Sequence, residues 1–201
     1  MAVESREKAL MIVRKGGLIR PRDLSAAGVP AWVLYELVKE GSVKQVGRGL
    51  YSAPDYAPTE KHSYAEAMKR VPNGIICLLS ALRFHELTVQ NPHEVWIAIS
   101  RTGWRPKSGA VELRIIRFSG EALTSGVQDH QVDGVPIRVT NVGRTVADCF
   151  KYRNKIGIDV ALEALHEGWR KKRFTMDEFW RYAKLDRVTK IVMPYLETLP
   201  S

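Results

Sequence analysis

Apolar residues recur with a helical period between positions 30 and 40. At 100° per residue, one side of the predicted helix carries aliphatic side chains: Val33, Leu34, Leu37 and Val38. The opposite side carries two aromatic rings and two charges: Trp32, Tyr35, Glu36 and Lys39. Pro30 suits a first helical position, and Gly41 suits the residue that follows a helix. The pattern therefore predicts an amphipathic helix that exposes two large rings.

This helix is the third of three predicted near the start of the chain. Residues 4–15 predict the first helix, residues 21–27 predict a short second one, and Gly28 lies in the turn that follows. A ribbon is predicted over residues 42–52, because apolar and polar positions alternate there and two glycines permit a tight hairpin. Three helices and a short ribbon are typical of a winged helix-turn-helix domain. Duplex DNA is therefore the first partner to consider.

In this interpretation the third helix enters the major groove and the ribbon is the wing. The candidate DNA-binding residues are Arg20, Arg22, Trp32, Tyr35, Glu36, Lys39, Lys44, Gln45 and Arg48, with Arg14 and Lys15 flanking them. The rings would contact thymine methyls, and Glu36 would accept from a cytosine amino group. Lys39 would also face the bases, whereas Lys44, Gln45 and Arg48 on the wing would contact phosphates or enter the minor groove. Arg14, Lys15, Arg20 and Arg22 would add contacts to the DNA backbone. Two alternatives stay open: a ring packs on a neighbouring domain, or Arg48 is a solvated turn residue.

A domain boundary is predicted over residues 53–58, where two prolines interrupt any helix or strand. Residues 1–53 would form the winged helix-turn-helix domain, and residues 54–201 a second domain. Thr59 is expected to cap a helix over 60–70, and residues 78–84 also predict a helix. Strands are predicted over 93–100, 111–118 and 135–140, with a brief apolar run at 75–77. Helices are predicted over 143–152, 158–171, 175–184 and 188–199, the third with a Thr175–Glu178 capping box. The fold class is α+β, a small β-sheet followed by a helical bundle.

One motif in the second domain combines charge with helical spacing. Arg144 and Asp148 lie four residues apart, which suits an ion pair on one helical face, and Thr145 lies beside them. Thr140 or Asn141 is positioned to cap that helix. The favoured interpretation is an internal pair that fixes the helix against the sheet. The alternative is a functional surface, for example one that contacts a nucleotide.

The charge and composition of the chain limit the classes of partner that it is expected to bind. The net charge of +9 is spread along the chain, with +2 in residues 1–60, +3 in 61–140 and +4 in 141–201. A basic chain favours a polyanion, although the excess is not concentrated in the first domain. The densest basic run, residues 170–173, would contact phosphates, complement a helix C-terminus or remain solvated. The sequence has no apolar stretch of membrane-spanning length and no visible export signal, so a cytoplasmic location without a membrane partner is expected.

Catalysis is not expected. The five histidines are scattered without metal-site spacing, and Cys77 and Cys149 form no C-x-x-C pair, so we expect neither a metal nor another cofactor. A restriction-type nuclease would need Lys at the end of a D/E-x-K motif, but Arg114 occupies that position after Glu112. Phosphate-binding glycine loops are also missing from the sequence. A nuclease-like enzyme is therefore the least favoured alternative.

Several sequence blocks in series resemble the AbiEi-type antitoxins, which are the transcription-repressing halves of type IV toxin–antitoxin (abortive infection) modules. The ribbon sequence VGRGLY is similar to the G-x-G-[VL]-Y signature of that family. The blocks lie at residues 46–51, 76–82, 85–88, 95–99, 139–150 and 161–165, and the block at 139–150 is the sharpest. Together they cover residues from about 8 to 170.

The resemblance implies a repressor that binds inverted repeats upstream of its own operon. It also implies that the second domain opposes a nucleotidyltransferase-type toxin encoded nearby, for which the family does not require a stable complex. The chain departs from the family in its third helix, where Lys39 is the single exposed cation and Glu36 is added. The alternatives are a stand-alone winged-helix regulator and a protein-interaction winged helix without a toxin partner.

Overall fold

The computed structural model describes residues 2–57, 59–90, 92–106, 111–197 and 199, and it is an α+β protein with a mixed sheet. The chain forms two compact units. Unit 1 comprises residues 1–72, 106–112 and 130–137, and unit 2 comprises residues 73–105, 113–129 and 138–201. The predictions that fall on Pro58 and Thr198 lie outside the described residues.

Unit 1 begins with three helices and a ribbon, as the sequence predicted. The helices are α1 (Ala2–Gly16), α2 (Pro21–Ala26) and α3 (Ala31–Lys39), and the antiparallel strands are β1 (Lys44–Gly47) and β2 (Leu50–Ser52). Ala9, Val13, Leu24, Leu34 and Leu37 are among the buried residues of its core. This helical region is consistent with a domain of the helix-turn-helix type.

Unit 1 continues past the predicted boundary at residue 53. Tyr56 packs against the same core and Ala53 is itself buried, so these two residues attach the predicted linker to unit 1. Helix α4 (His62–Arg70) follows, and its Lys69 Nζ lies 2.5 Å from Asp23 Oδ2 at the start of α2. The independence of residues 1–53 as a domain stays a prediction.

Helix α4 begins later than predicted, because Lys61 occupies the N-cap position that was assigned to Thr59. The Thr59 side chain and backbone instead hydrogen-bond to Asp133.

The mixed sheet has the order β5-β4-β3-β7-β6. Its strands are β3 (Ile75–Ile76), β4 (Glu94–Ser100), β5 (Glu112–Phe118), β6 (Val127–Val132) and β7 (Val135–Thr140). Strand β3 pairs antiparallel with β4, where Ile75 faces Ala98, and parallel with β7, where Ile76 faces Val139. The sequence predicted β4, β5 and β7 and described β3 only as an apolar run. It missed β6, which has one buried residue, Val132.

Strand β4 differs from its predicted alternation. The sequence set Val95, Ile97 and Ile99 against Trp96 and Ala98 as two different faces, but all five residues are buried. A strand whose two faces are both covered is apolar throughout, because neither face contacts water.

The remaining helices build the core of unit 2. They are α5 (Leu78–Phe84), α6 (Val142–Lys151), α7 (Arg153–Ile156), α8 (Ile158–Arg170), α9 (Met176–Leu185) and α10 (Thr189–Leu196), with a 3₁₀ turn at Gly120–Leu123. Helix α6 packs against α5, α8 and α9, and its residues from Val142 to Phe150 are all buried. The predicted helical bundle is therefore centred on α6.

Two of these helices, α6 and α9, begin at residues whose side chains cap the first helical turn. Asn141 caps α6, because its Oδ1 accepts a 2.8 Å hydrogen bond from the Arg144 backbone. Thr175 caps α9 by accepting from the Glu178 backbone at 3.2 Å. The Glu178 side chain accepts from Asn141 Nδ2 at 3.0 Å, so this carboxylate links the starts of the two helices.

Candidate nucleic-acid interface

Helix α3 separates its two faces as the sequence predicted. Val33, Leu34 and Leu37 are buried in the core of unit 1. Trp32 and Tyr35 remain 50% and 56% exposed. The other exposed residues on this face are Glu36 and Lys39. An indole and a phenol are therefore presented to solvent one helical turn apart.

The backbone around α3 fixes that presentation. Gly28 adopts a φ of +75° in the turn between α2 and α3, where the Val29 N–H donates to Leu24 O at 2.9 Å. Gly41 adopts a φ of +77° after α3, and the Val43 N–H then donates to Leu37 O at 3.1 Å. A left-handed conformation at these positions favours glycine. The α2–turn–α3 segment is consequently ordered by main-chain contacts.

The β1–β2 ribbon follows α3 directly and is tied to the connection between α1 and α2. The Ile19 and Tyr51 backbones exchange two hydrogen bonds of 2.9 and 3.0 Å. Within the ribbon the register shifts between Gln45 and Gly47, and Gly49 has a φ of +69°. Arg48 lies between the two glycines, and its side chain is exposed. The ribbon is therefore attached at its base and carries a cation at its tip.

The other ribbon side chains make local contacts. Lys44 Nζ donates to Pro54 O at 3.0 Å and to Tyr56 O at 3.3 Å, although the residue is exposed. Gln45 Nε2 donates to Gly47 O at 3.1 Å. Lys44 would have to leave two carbonyl oxygens before contacting a phosphate. Arg48 is thus the better placed of the two ribbon cations.

The arginines beside α2 are also engaged. The Arg22 guanidinium donates to Lys69 O at 3.1 Å. Arg20 is half-buried, and its pKa is lowered by burial first and by the charge of Arg22 second. Its backbone N–H donates to Asp23 Oδ2 at 2.8 Å. Arg14 and Lys15, at the end of α1, are exposed. The structure brings the predicted contacts into one unit but leaves them unequally available.

The acidic residues near α3 differ in their surroundings. Glu40 pairs with Arg6 of α1, and this hydrogen bond lowers the pKa of the Glu40 carboxyl. Glu36 is exposed on the same face as Trp32. Because Glu36 would repel phosphates, it suits a position over base edges better than one over the backbone.

A polar cluster centred on Asp133 was not predicted from the sequence. Tyr56 Oη donates to Asp133 Oδ2 at 2.7 Å, and His62 Nδ1 lies 3.1 Å from the same oxygen. Burial acts to raise the pKa of Asp133, but hydrogen bonds from Tyr56, Thr59 and His62 outweigh burial and lower it. The next residue is Gly134, where an added Cβ would lie 2.5 Å from the Gly16 backbone oxygen. This cluster stabilises unit 1 around the β6–β7 turn.

The Arg144–Asp148 pair forms as its spacing predicted. Arg144 Nε donates to Asp148 Oδ1 at 2.9 Å, and both side chains are fully buried. Thr145 is also buried, and its hydroxyl donates to the Thr140 and Asn141 carbonyl oxygens at 3.0 and 2.7 Å. Groups without solvent exposure offer no surface to a partner, which supports the structural interpretation over an antitoxicity surface.

A second carboxyl, from Asp186, joins this cluster. Its Oδ1 lies 2.8 Å from Lys151 Nζ and 3.9 Å from Arg144 Nη2. Burial, followed by the neighbouring Asp186, raises the pKa of Asp148 well above its ordinary value. The Oδ2 atoms of both carboxyls are buried, and neither accepts a hydrogen bond from an N–H group or a hydroxyl of the described residues. A hydrogen bond between the two carboxyls requires a proton between them, and this bond also favours the protonated form of Asp148.

The basic run at residues 170–173 is largely a local feature of the α8 C-terminus. Arg170 donates to both oxygens of Glu167, at 3.0 and 2.8 Å. Lys171 Nζ lies 3.2 Å from Glu167 and donates to Glu86 O at 2.8 Å. These contacts lower the pKa of Glu167 to about 2, with Arg170 as the largest cause. Two of the four cations are thus accounted for by local pairing.

One segment of the chain is similar to a known protein family. Residues 7–54 match the family model described as "Transcriptional regulator, AbiEi antitoxin". The match extends from α1 to the end of the β1–β2 ribbon and covers about a quarter of the chain. The resemblance to AbiEi antitoxins is therefore confirmed over the segment that carries the candidate interface. No curated protein matches the chain.

In the part of the chain that the structure describes, no group of three or more His, Cys, Asp or Glu side chains is arranged to hold a metal ion. No helix among the same residues has the length and apolarity needed to cross a bilayer.

Proposed function

We propose that the protein is a DNA-binding transcriptional repressor of the AbiEi antitoxin type, with a winged helix-turn-helix domain in its first unit. The observation that carries this proposal is the exposed Trp32–Tyr35 face of α3 beside the Arg48 ribbon, inside the segment that matches the family. Helix α3 would be the recognition helix, and β1–β2 would be the wing.

The chemistry of the α3 face supports contact with base edges. Trp32 and Tyr35 would pack against thymine methyl groups, and Glu36 would accept from a cytosine amino group in the major groove. Lys39, exposed on the same side of α3, would also face the bases. Arg48 would contact the backbone or enter the minor groove, since its side chain is exposed at the ribbon tip. Lys44 and Arg22 would contribute after exchanging their present carbonyl partners.

The family match also motivates a biological role for the whole chain. We infer that the protein represses its own operon by binding inverted repeats upstream of it, acts in the cytoplasm and opposes a nucleotidyltransferase-type toxin encoded nearby. The second unit would supply antitoxicity without catalysis. The buried Arg144–Asp148–Asp186 cluster would stabilise that unit rather than contact the toxin.

The first experiment is a fluorescence-anisotropy titration of the full chain against its own upstream duplex and a scrambled duplex, at two salt concentrations. We expect tighter binding to the upstream duplex and weaker binding at higher salt. Arg48→Ala should weaken binding to both duplexes and reduce the salt slope by about one phosphate contact. Lys190→Ala removes the same charge from exposed α10 and is the matched control.

The outcomes separate the alternatives. Binding without preference for the upstream duplex would reduce the protein to a nonspecific basic binder. A complete lack of salt-dependent DNA binding would favour a protein-interaction winged helix, for which the exposed Trp32 and Tyr35 are also suited. Antitoxicity is tested separately, by expressing the neighbouring gene with and without this chain and measuring growth.

A further inference from the structure

A tryptophan is displayed on the loop that joins β4 and β5. Trp104 is 69% exposed, although an indole ring is usually at least half covered in a folded protein. Single exposed apolar residues are common and by themselves indicate nothing. The neighbours of Trp104, however, distinguish this loop from an ordinary one.

The backbone next to Trp104 is held by hydrogen bonds. Arg117 of β5 directs its Nη1 at three carbonyl oxygens, those of Ser100, Arg101 and Gly103, at 2.8, 3.2 and 2.5 Å. The Gly103 N–H also donates to Ser100 O at 3.0 Å, which closes a turn. An added Cβ on Gly103 would lie 3.1 Å from Ser100 Oγ. The backbone of residues 100–103, immediately before Trp104, is therefore held by hydrogen bonds.

The charged residues next to Trp104 in the sequence are basic on both sides. Arg101 and Arg105 are exposed on either side of Trp104 in the chain. The sequence from 101 to 111 contains three basic residues and no acidic one. Arg117 uses Nη1 within the loop, so the two flanking arginines are the ones available to an outside partner. An aromatic ring between two arginines suits a polyanion that also exposes apolar groups, such as the sugars and thymine methyls of duplex DNA.

We propose that this loop is a second contact for duplex DNA, outside the segment that matches the AbiEi family. Arg101 and Arg105 bind phosphates, and Trp104 packs against a deoxyribose or a base edge between them. The inference rests on the proposed function, because it assigns the same class of ligand to a second site. Contacts to phosphates and sugars position a protein on duplex DNA without reading its sequence directly, so this loop would contribute affinity rather than sequence preference.

The test uses the full chain and the labelled upstream duplex. Trp104→Ala should raise the Kd by roughly five-fold or more, because it removes the apolar area that the ring would bury against the duplex. Replacement of both arginines, Arg101→Ala/Arg105→Ala, should reduce the salt slope by about two. Two variants in the same unit serve as controls for exposed apolar and basic residues: Met193→Ala and Lys184→Ala/Lys190→Ala. Thermal melting of each variant confirms that folding is retained.

Each result has a defined meaning. If Trp104→Ala binds like the wild type while Arg48→Ala binds weakly, the loop contact is wrong and the proposed function stands. If the wild type does not bind duplex DNA, both proposals fail together. If the control variants lose as much affinity as the loop variants, the loss reflects a general change in surface charge or apolarity, and the assigned site is wrong. Loss confined to the loop variants supports the second contact.

Discussion

The two carboxyls beside Arg144 lead to a prediction about stability. If Asp148 and Asp186 together hold one negative charge, either can be replaced by Asn while the other remains to balance Arg144. Asp148→Asn also keeps an oxygen that accepts from Arg144 Nε, now 2.9 Å from Asp148. Near pH 4, we expect each single substitution to cost about 1 kcal/mol, near the net value of one hydrogen bond.

The double variant Asp148→Asn/Asp186→Asn should behave differently. It leaves the fully buried Arg144 guanidinium without any carboxylate partner. The 3.1 Å hydrogen bond from Arg144 Nη1 to the Ser125 backbone oxygen would remain, but this oxygen carries no charge. Removing the counter-charge of a buried ion costs about 3–5 kcal/mol. The coupling energy between the two sites is then about 1–3 kcal/mol beyond the sum of the single changes.

Urea unfolding followed by circular dichroism measures the free energies of unfolding of the wild type, the two single variants and the double variant. The pH dependence of these free energies gives a second test. The raised pKa of Asp148 means that the folded protein keeps a proton that the unfolded chain releases above about pH 3.9. This contribution to stability is complete below that pH and is lost as pH rises through the folded pKa. Asp148→Asn should therefore gain stability relative to wild type as pH rises from about 4.

Two results would refute this reasoning. One is additivity, in which the double variant costs only the sum of the two single variants. The other is a difference between Asp148→Asn and wild type that stays constant with pH. In either case the carboxyls would not share a proton, and each would contribute its own charge.

Further predictions concern unit 1. Trp32→Ala should leave the melting temperature unchanged but weaken binding to the upstream duplex more than to scrambled DNA; equal losses would remove Trp32 from base recognition. Gly17→Ala should destabilise the protein by about 1–3 kcal/mol, because φ is +60° and the Cβ would lie 2.2 Å from Asp133 O. Gly28→Ala, at a φ of +75° with open space around it, should cost less in the same urea assay. Asp133→Asn should cost about 1–3 kcal/mol at neutral pH. The lowered pKa of Asp133 makes that stabilisation present above about pH 3.9 and lost as pH falls through the folded pKa, so the difference from wild type should shrink in acid.

Local periodicity explains what the sequence predicted well. The face of α3 follows from the spacing of Val33, Leu34 and Leu37, and the Arg144–Asp148 pair follows from i,i+4 geometry. Both depend on residues within one or two helical turns. The exposed Trp32 and Tyr35 were accessible to sequence reasoning for the same reason.

Long-range contacts explain what the sequence missed. Nothing near Lys44 or Arg22 in the sequence shows that their side chains donate to carbonyl oxygens 10 and 47 residues away. The partners of Asp133 lie about 70 or more positions earlier in the chain. Strand β6 was missed because a largely exposed strand of polar residues lacks a clear period. Such features arise only when the fold brings distant segments together.

The composition of unit 1 has a consequence for synthesis of the protein. Its last segment, residues 130–137, carries Asp133 and is separated from residue 72 by most of the sheet and α5. At a translation rate of about 5–20 residues per second, the ribosome needs roughly 3–13 s to pass from residue 72 to residue 137. During that interval Tyr56, Thr59 and His62 lack the carboxylate that they bind in the folded chain. Unit 1, which carries the candidate DNA-binding residues, is therefore complete only after residue 137 has been synthesised. A shortened gene that ends at residue 72 would encode this unit without the β6–β7 turn that carries Asp133.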